Sequence, residues 1–238
     1  MKNKINRFLF LSITILLVLN SACTTIEGTG PLVSQKRNTI EFNGVTLDMN
    51  ANVYLIQGDT PSVIIRSQQN IADEIITEMD GSNLVIKTKN SISTNEPIEL
   101  WLTLKNIEEI ELNGSGSITS ESSFKTEKTS IDISGSGKVS LVLMNEKLDV
   151  SLNGSGDLIL TGKVTAAELE VTGSGNILAS ECYIDDCDVT VSGSGMAKLH
   201  VSEKLTSNIN GSGSVHYLGN PQKVKSEISG SGQLIKEN

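Results

Sequence analysis

Residues 113–118 read "NGSGSI", and the Gly-Ser-Gly inside that stretch begins at Gly114 and returns at Gly135, Gly154, Gly173, Gly193, Gly211 and Gly230. Asn, Ser or Thr precedes it each time, and the successive first glycines lie 21, 19, 19, 20, 18 and 19 residues apart. A period near twenty marks a solenoid, in which each unit buries its apolar edge only against its neighbours. Two positions before the first glycine stand Leu112, Ile133, Leu152, Val171, Val191, Ile209 and Ile228. Four positions after it stand Ile118, Val139, Leu158, Ile177, Ala197, Val215 and Leu234. Position minus four adds Ile110, Ile131, Val150, Leu169 and Val189 before giving way to Ser207 and Ser226. All these offsets are even, so the side chains alternate as in a half-buried strand, with one register on both sides of the glycines. The same parity puts both glycines of each repeat on the inward face. There a side chain would collide with the core at a corner, and glycine also tolerates positive φ.

The expected fold is all-β, a right-handed parallel β-helix whose stacked coils lie ~4.8 Å apart. A meander of hairpins turning at Gly-Ser-Gly is the competing arrangement. It would make neighbours antiparallel, and like residues would then not stack. Upstream, "TIEFNGVTLDMNANVYLIQG" and "SVIIR" alternate as strands, and "NLVIKT" and "PIELWLTL" follow. Between them "NIADEIITEMD" (70–80) has Asn70 as an N-cap, Asp73 and Glu74 in the first turn and Gly81 as a stop, which predicts a short helix. The domain reading is a signal peptide at 1–22, lipid attachment and tether at 23–32, and one β-helix domain at 33–238. Irregular capping coils occupy 33–108 of that domain and the seven repeats 109–238. Lys236 and Glu237 charge the last edge.

The leader reading rests on Lys2, Lys4 and Arg7, an apolar run from Phe8 to Leu19, and Ser21-Ala22 just before Cys23. The run is too short to span a bilayer, which takes ~20 apolar residues. The end resembles a lipobox, which makes Cys23 the lipidation site, although Asn20 stands where that motif usually has an aliphatic residue. The address is the cell envelope, with anchoring in the outer membrane of a Gram-negative bacterium and the leaflet open. The chain is acidic, net −9, and has no basic block, which argues against nucleic acid as a partner. Aromatics make up 3%, few for a membrane barrel with aromatic girdles. Cys182 and Cys187 are either a disulfide pair in an oxidising compartment or two free thiols.

The order "EGTGPLV", "TIEFNGVTLDMNANVYLIQGDTPSVIIR", "NLVIKT", "PIELWLTLKNIEEIELNGSGSI" and then recurrent Gly-Ser-Gly resembles the putative auto-transporter adhesin, head GIN domain family. The similarity covers nearly all of the chain after the leader. It implies a right-handed parallel β-helix on secreted or lipid-anchored envelope proteins.

Function has to sit on outward positions. Two polar columns flank and fill the corner: Asn113, Ser134, Asn153, Thr172, Ser192, Asn210 and Ser229 before it, and Ser115, Ser136, Ser155, Ser174, Ser194, Ser212 and Ser231 within it. They are either turn residues bonding to backbone and to the next rung, or a repetitive face for glycans. Five before the corner, Asp149, Glu168 and Asp188 stand one rung apart, with Glu170 in the same strip. Their repulsion is relieved either by solvent and salt or by a hard cation such as Ca²⁺, the one cofactor the sequence suggests. Glu111 and Asp132 share an outward column, and carboxylates ~5 Å apart suit a retaining glycosidase. Yet the coils hold no arginine, and neither His200 nor His216 has an evident Ser or Cys partner, so no triad is expected. In "IELWLTL" Ile98, Leu100, Leu102 and Leu104 face inward and Trp101 outward, where it is covered by the N-terminal segment or offers a stacking platform. The expectation is a non-catalytic, adhesin-like binding or structural module for glycans or envelope proteins, with a homo-oligomer left open. The alternative is a polysaccharide hydrolase or lyase using the outward carboxylates.

Overall fold

The computed structural model describes residues 25–238, so the leader and Cys23 lie outside the described residues. Its elements in chain order are β1 (Ile26–Glu27), β2 (Leu32–Arg37), β3 (Gly44–Leu47), β4 (Asn52–Gln57), β5 (Ser62–Gln68), α1 (Gln69–Ala72), β6 (Ile75–Asp80), β7 (Asn83–Thr88), β8 (Ile92–Ser93) and β9 (Glu99–Leu104). The repeats follow as β10 (Glu109–Gly114), β11 (Ser117–Gly135), β12 (Lys138–Gly154), β13 (Asp157–Gly173), β14 (Asn176–Gly193), β15 (Met196–Gly211), β16 (Ser214–Leu218), β17 (Lys223–Gly230) and β18 (Gln233–Lys236).

Neighbouring coils from β10 to β15 run parallel, with Leu152 paired to Val171 and Val171 to Val191. The chain is therefore a β-solenoid, and the hairpin meander is excluded. Coil lengths differ, but the differences are absorbed by register shifts between Thr119 and Ser123, between Ile159 and Thr161, between Ala179 and Tyr183 and between Ile184 and Asp186, so every corner glycine still pairs with its counterpart. The apolar columns form one continuous core, with Leu112, Ile133, Leu152, Val171, Val191 and Ile209 at 0% exposure. Each such column removes its side chains from water only because the next coil covers them, so burial rewards parallel stacking in register.

The two glycines of a corner do different work, which corrects the expectation that both face the core. Gly154, half-exposed at the turn, has φ 126°. A Cβ there would lie 2.4 Å from the Gly135 carbonyl oxygen of the preceding coil, the same oxygen that accepts the Ser155 N–H at 2.8 Å. Gly156 is buried, and its Cβ would meet the Gly137 carbonyl oxygen at 2.7 Å and Ile133 at 3.0 Å. One glycine lets the backbones of successive coils touch at the corner, and the other lets the core close behind it.

The N-terminal coils place β3 beside β10 and β7 beside β3, and likewise β4 beside β11 and β9 beside β4, all parallel. Antiparallel strands then end the stack: β6 on β7, and β5 between β9 and β2. The helix predicted for 70–80 shrinks to the single turn of α1, and Ile75–Asp80 is strand. Ile75, Ile76 and Thr77 are β-branched, and the free edge of β7 rewards pairing more than an isolated turn rewards helix. Asn70 caps no helix; its side chain accepts from the Thr29 N–H at 3.0 Å and donates to the Glu27 carbonyl at 2.7 Å, fastening the N-terminal segment.

Cys182 and Cys187 are buried free thiols, so the disulfide alternative is not realised. Burial pushes the Cys182 thiol up to about 12. Cys187 is pushed further, by burial first and then by Asp188 and Cys182. Both stay protonated where a free thiol ionises, near 8.5. A thiol reagent such as DTNB at pH 8 is expected to titrate neither cysteine in the native protein and both after denaturation. Fast labelling of the native Cys23→Ala chain would refute the burial. Because the folded values are raised, these thiols favour the folded state fully below the unfolded value. That contribution declines as pH rises past it and is gone above the folded value.

Candidate functional site

The corners align into a ridge. Ser115, Ser136, Ser155, Ser174, Ser194, Ser212 and Ser231 are all exposed at its crest. From coil to coil it is the serine N–H that bonds, as from Ser174 to the Gly154 carbonyl and from Ser212 to the Gly193 carbonyl, both at 2.8 Å. The hydroxyls thus project from the crest with the rung bond already made by backbone. In the flanking column, Asn153 Nδ2 donates to Ser151 Oγ at 3.0 Å and Thr172 Oγ1 to Glu170 at 3.4 Å, each within its own strand. Asn113 reaches across to Asp48 at 2.6 Å and also donates to Glu111 at 3.1 Å. Ser134, Asn210 and Ser229 of this column are exposed and Ser192 is half-exposed.

Beside the ridge lies an acidic sheet face. Asp149, Glu168 and Asp188 occupy successive rungs, as their spacing predicts. Lysines from the adjoining corner answer two of them: Lys128 lies 2.5 Å from Asp149 and Lys204 3.6 Å from Asp188. Glu170 stands two residues along from Glu168 and accepts from Thr172. Among the described residues no three His, Cys, Asp or Glu side chains converge as a metal would require. The four carboxylates singled out for Ca²⁺ are therefore spread along the sheet rather than gathered into a cage.

Glu111 and Asp132 do pair across adjacent strands. Desolvation at the sheet surface and the neighbouring Glu111 hold the Asp132 carboxyl above its usual range. Glu111 itself accepts from Thr46 at 3.0 Å as well as from Asn113. A raised acid beside a carboxylate suits acid–base work, but Glu111 lines a shallow depression with Thr46, Asp48, Asp80, Asn83 and Glu109 in which Asp132 takes no part.

His216 has the Ser partner that sequence reasoning missed. Its Nε2 lies 3.2 Å from Ser214 Oγ and its Nδ1 3.0 Å from Glu237. Ser214 and His216 share the outward face of β16 at i and i+2, a signal present in the sequence; Glu237 arrives from the following coil. The connectivity is that of a nucleophilic triad, but the surroundings are not. The Ser214 N–H is spent on the Gly195 carbonyl, so it cannot serve an oxyanion, and Glu237 is shared with Lys198 at 2.7 Å. Lys198 first, and then His216, hold the Glu237 carboxyl below its usual range. The cluster pins the final strand. His200 packs its ring on Tyr183, with centroids 4.5 Å apart.

Trp101 is half-buried on β9, its ring stacked on Tyr54 of β4 at 5.4 Å and 22°. On its other side the register brings Ile64 of β5. The indole thus stands in a row of outward side chains, between Tyr54 and Ile64. A cleft of about 310 Å³ at the N-terminal coils is lined by Phe42, Pro61 and Leu104 with Glu41, Asp59 and Lys105 at its rim. It contains none of the candidate site residues read from the sequence.

The profile of the family described as putative auto-transporter adhesin, head GIN domain, matches residues 41–221. Solved structures share the fold over nearly the whole chain. A putative adhesin from Bacteroides fragilis is 23% identical, with a TM-score of 0.84 over 89% of this chain and 100% of that one. A putative lipid binding protein from Parabacteroides distasonis is 26% identical, with a TM-score of 0.75 over 90% of this chain and 100% of its own. A putative adhesin from Parabacteroides merdae is 20% identical, with a TM-score of 0.71 over 90% and 99%. No curated protein matches the sequence.

Proposed function

We propose that this chain, which belongs to the putative auto-transporter adhesin, head GIN domain family, works as a non-catalytic binding module of the cell envelope, held to the membrane through a lipidated Cys23 and presenting its serine ridge to glycans or envelope proteins. The ridge carries the reading. Seven exposed hydroxyls stand one coil apart on a backbone that needs none of them for its own bonding. A row of donors and acceptors at ~4.8 Å spacing can meet a repeating polar ligand at many weak contacts, each adding to the last.

The reading is tested in two parts. Replacing Ser136, Ser155, Ser174 and Ser194 together by Ala is expected to abolish binding on a glycan array while leaving the melting temperature within a degree or two, since exposed serines contribute little to stability. Equal binding by the variant would remove the ridge from the mechanism. For the anchor, Cys23→Ala is expected to release the chain from the membrane fraction and to end its labelling by radioactive palmitate. Unchanged fractionation and labelling would refute lipidation.

A further inference from the structure

The two ends of the solenoid are unlike. At the N-terminal end antiparallel strands and α1 cover the last apolar side chains, and Ile71 and Ala72 are fully buried. At the other end the core columns run onto an uncovered edge. Val224 and Ile228 stand in register over Leu205 and Ile209 but are 45% and 47% exposed. All eight residues of β17 are exposed, and β17 pairs only with β15 among the described residues. The outer edge of β17 therefore offers a row of unpaired N–H and C=O groups, a template for a further strand.

That edge is its own chemical complement. Residues 224–228 read Val-Lys-Ser-Glu-Ile. Val224, Ser226 and Ile228 continue inward columns, while Lys225 and Glu227 point outward and pair with each other at 2.8 Å. When two such edges are laid antiparallel about a two-fold axis at Ser226, Val224 of each copy meets Ile228 of the other. Lys225 of each then meets Glu227 of the other, and the two Ser226 side chains face one another. Apolar pairs, opposite charges and facing hydroxyls are the cross-strand combinations that stabilise an antiparallel pair, and an isologous interface requires this reciprocity. A foreign strand would have no need of a palindrome.

We infer that β17 joins two copies of this chain tail to tail, by antiparallel pairing centred on Ser226. The inference goes beyond the proposed function and does not depend on the ligand. It makes one ridge into two, arranged about the two-fold axis, so a ligand long enough to reach both is bound with avidity.

Cysteine scanning of the full chain in membranes tests it. Ser226→Cys lies on the axis and is expected to give, under mild oxidation, a reducible band of twice the monomer mass. Its yield should be at least tenfold above that of Ser155→Cys on the ridge; the parent chain, which keeps Cys23, Cys182 and Cys187, sets the background. Adding Lys225→Glu places like charges opposite each other twice and should lower the yield roughly tenfold. Adding Lys225→Glu with Glu227→Lys restores the complement and should restore the band. Every residue of β17 is exposed, so an unchanged melting temperature verifies that each variant folds. The inference falls if Ser226→Cys cross-links no better than Ser155→Cys, or chiefly to a species of another mass. It falls equally if the double exchange fails to rescue the single one.

Discussion

Replacing Gly154 by alanine is expected to cost roughly 2–6 kcal/mol of folding stability, whereas Ser155→Ala next to it should change stability by less than about 0.5 kcal/mol. Two penalties add at Gly154. The backbone there has φ 126°, which L residues rarely adopt, at a strain of ~1–3 kcal/mol. The new methyl would also sit 2.4 Å from the Gly135 carbonyl oxygen, and relieving that contact means separating two coils, at a further ~1–3 kcal/mol. The damage spreads, because Gly135 accepts from Ser155 and Gly154 accepts from Ser174, so both rung bonds loosen together. Urea unfolding followed by circular dichroism measures the loss, with amide exchange at Ser155 and Ser174 as the local readout. A midpoint equal to that of the parent would show that the corner can open at no cost, contrary to the geometry.

The second large effect is expected at Asn145, where a polar group is buried in the core. Thr126, Asn145, Val164, Ile184 and Val201 form one inward column, apolar in all but its first two members. Asn145 Nδ2 donates to Thr129 Oγ1 at 2.6 Å and its Oδ1 accepts from Thr126 Oγ1 at 3.0 Å, while Thr129 donates to the Ile107 carbonyl at 2.7 Å. Asn145 is 5% exposed and Thr129 fully buried. Asn145→Ala deletes the hub, leaves the Thr126 hydroxyl with only Thr129 Oγ1, 3.1 Å away, as partner and opens a cavity, for a loss of about 2–4 kcal/mol. Thr126→Val removes a single half-buried donor and should lose only about 1 kcal/mol. Equal losses for the two variants would mean that the network is not organised around Asn145.

Much of the fold was legible because the repeat is itself a physical constraint. Leu152, Val171 and Val191 recur at one offset and touch in succession, since only parallel coils in register hide that column from water. The helix expected at 70–80 failed where a local cap and stop signal competed with an edge of β7 that the sequence cannot display. The ridge was legible as a column of residues but not in its bonding: the hydroxyls expected to reach the next rung leave that task to their own N–H groups. Sequence spacing placed Asp149, Glu168 and Asp188 in line, yet it did not show which of them meets a lysine, because Lys128 reaches Asp149 from the preceding coil and Lys204 reaches Asp188 from the following one. The triad-like link of Ser214, His216 and Glu237 was half visible, as two residues of one strand, and its third member needed the following coil.

The sequence alone determined the coil length, the inward columns and the line of corners, because apolar parity and glycine spacing act between any two neighbours in the same way along the stack. Tertiary structure alone decided which glycine meets backbone and which meets core, which acid finds a lysine, and which end of the stack is left open. Those outcomes depend on the distance and direction between side chains of different coils, and the one-dimensional order of residues carries neither.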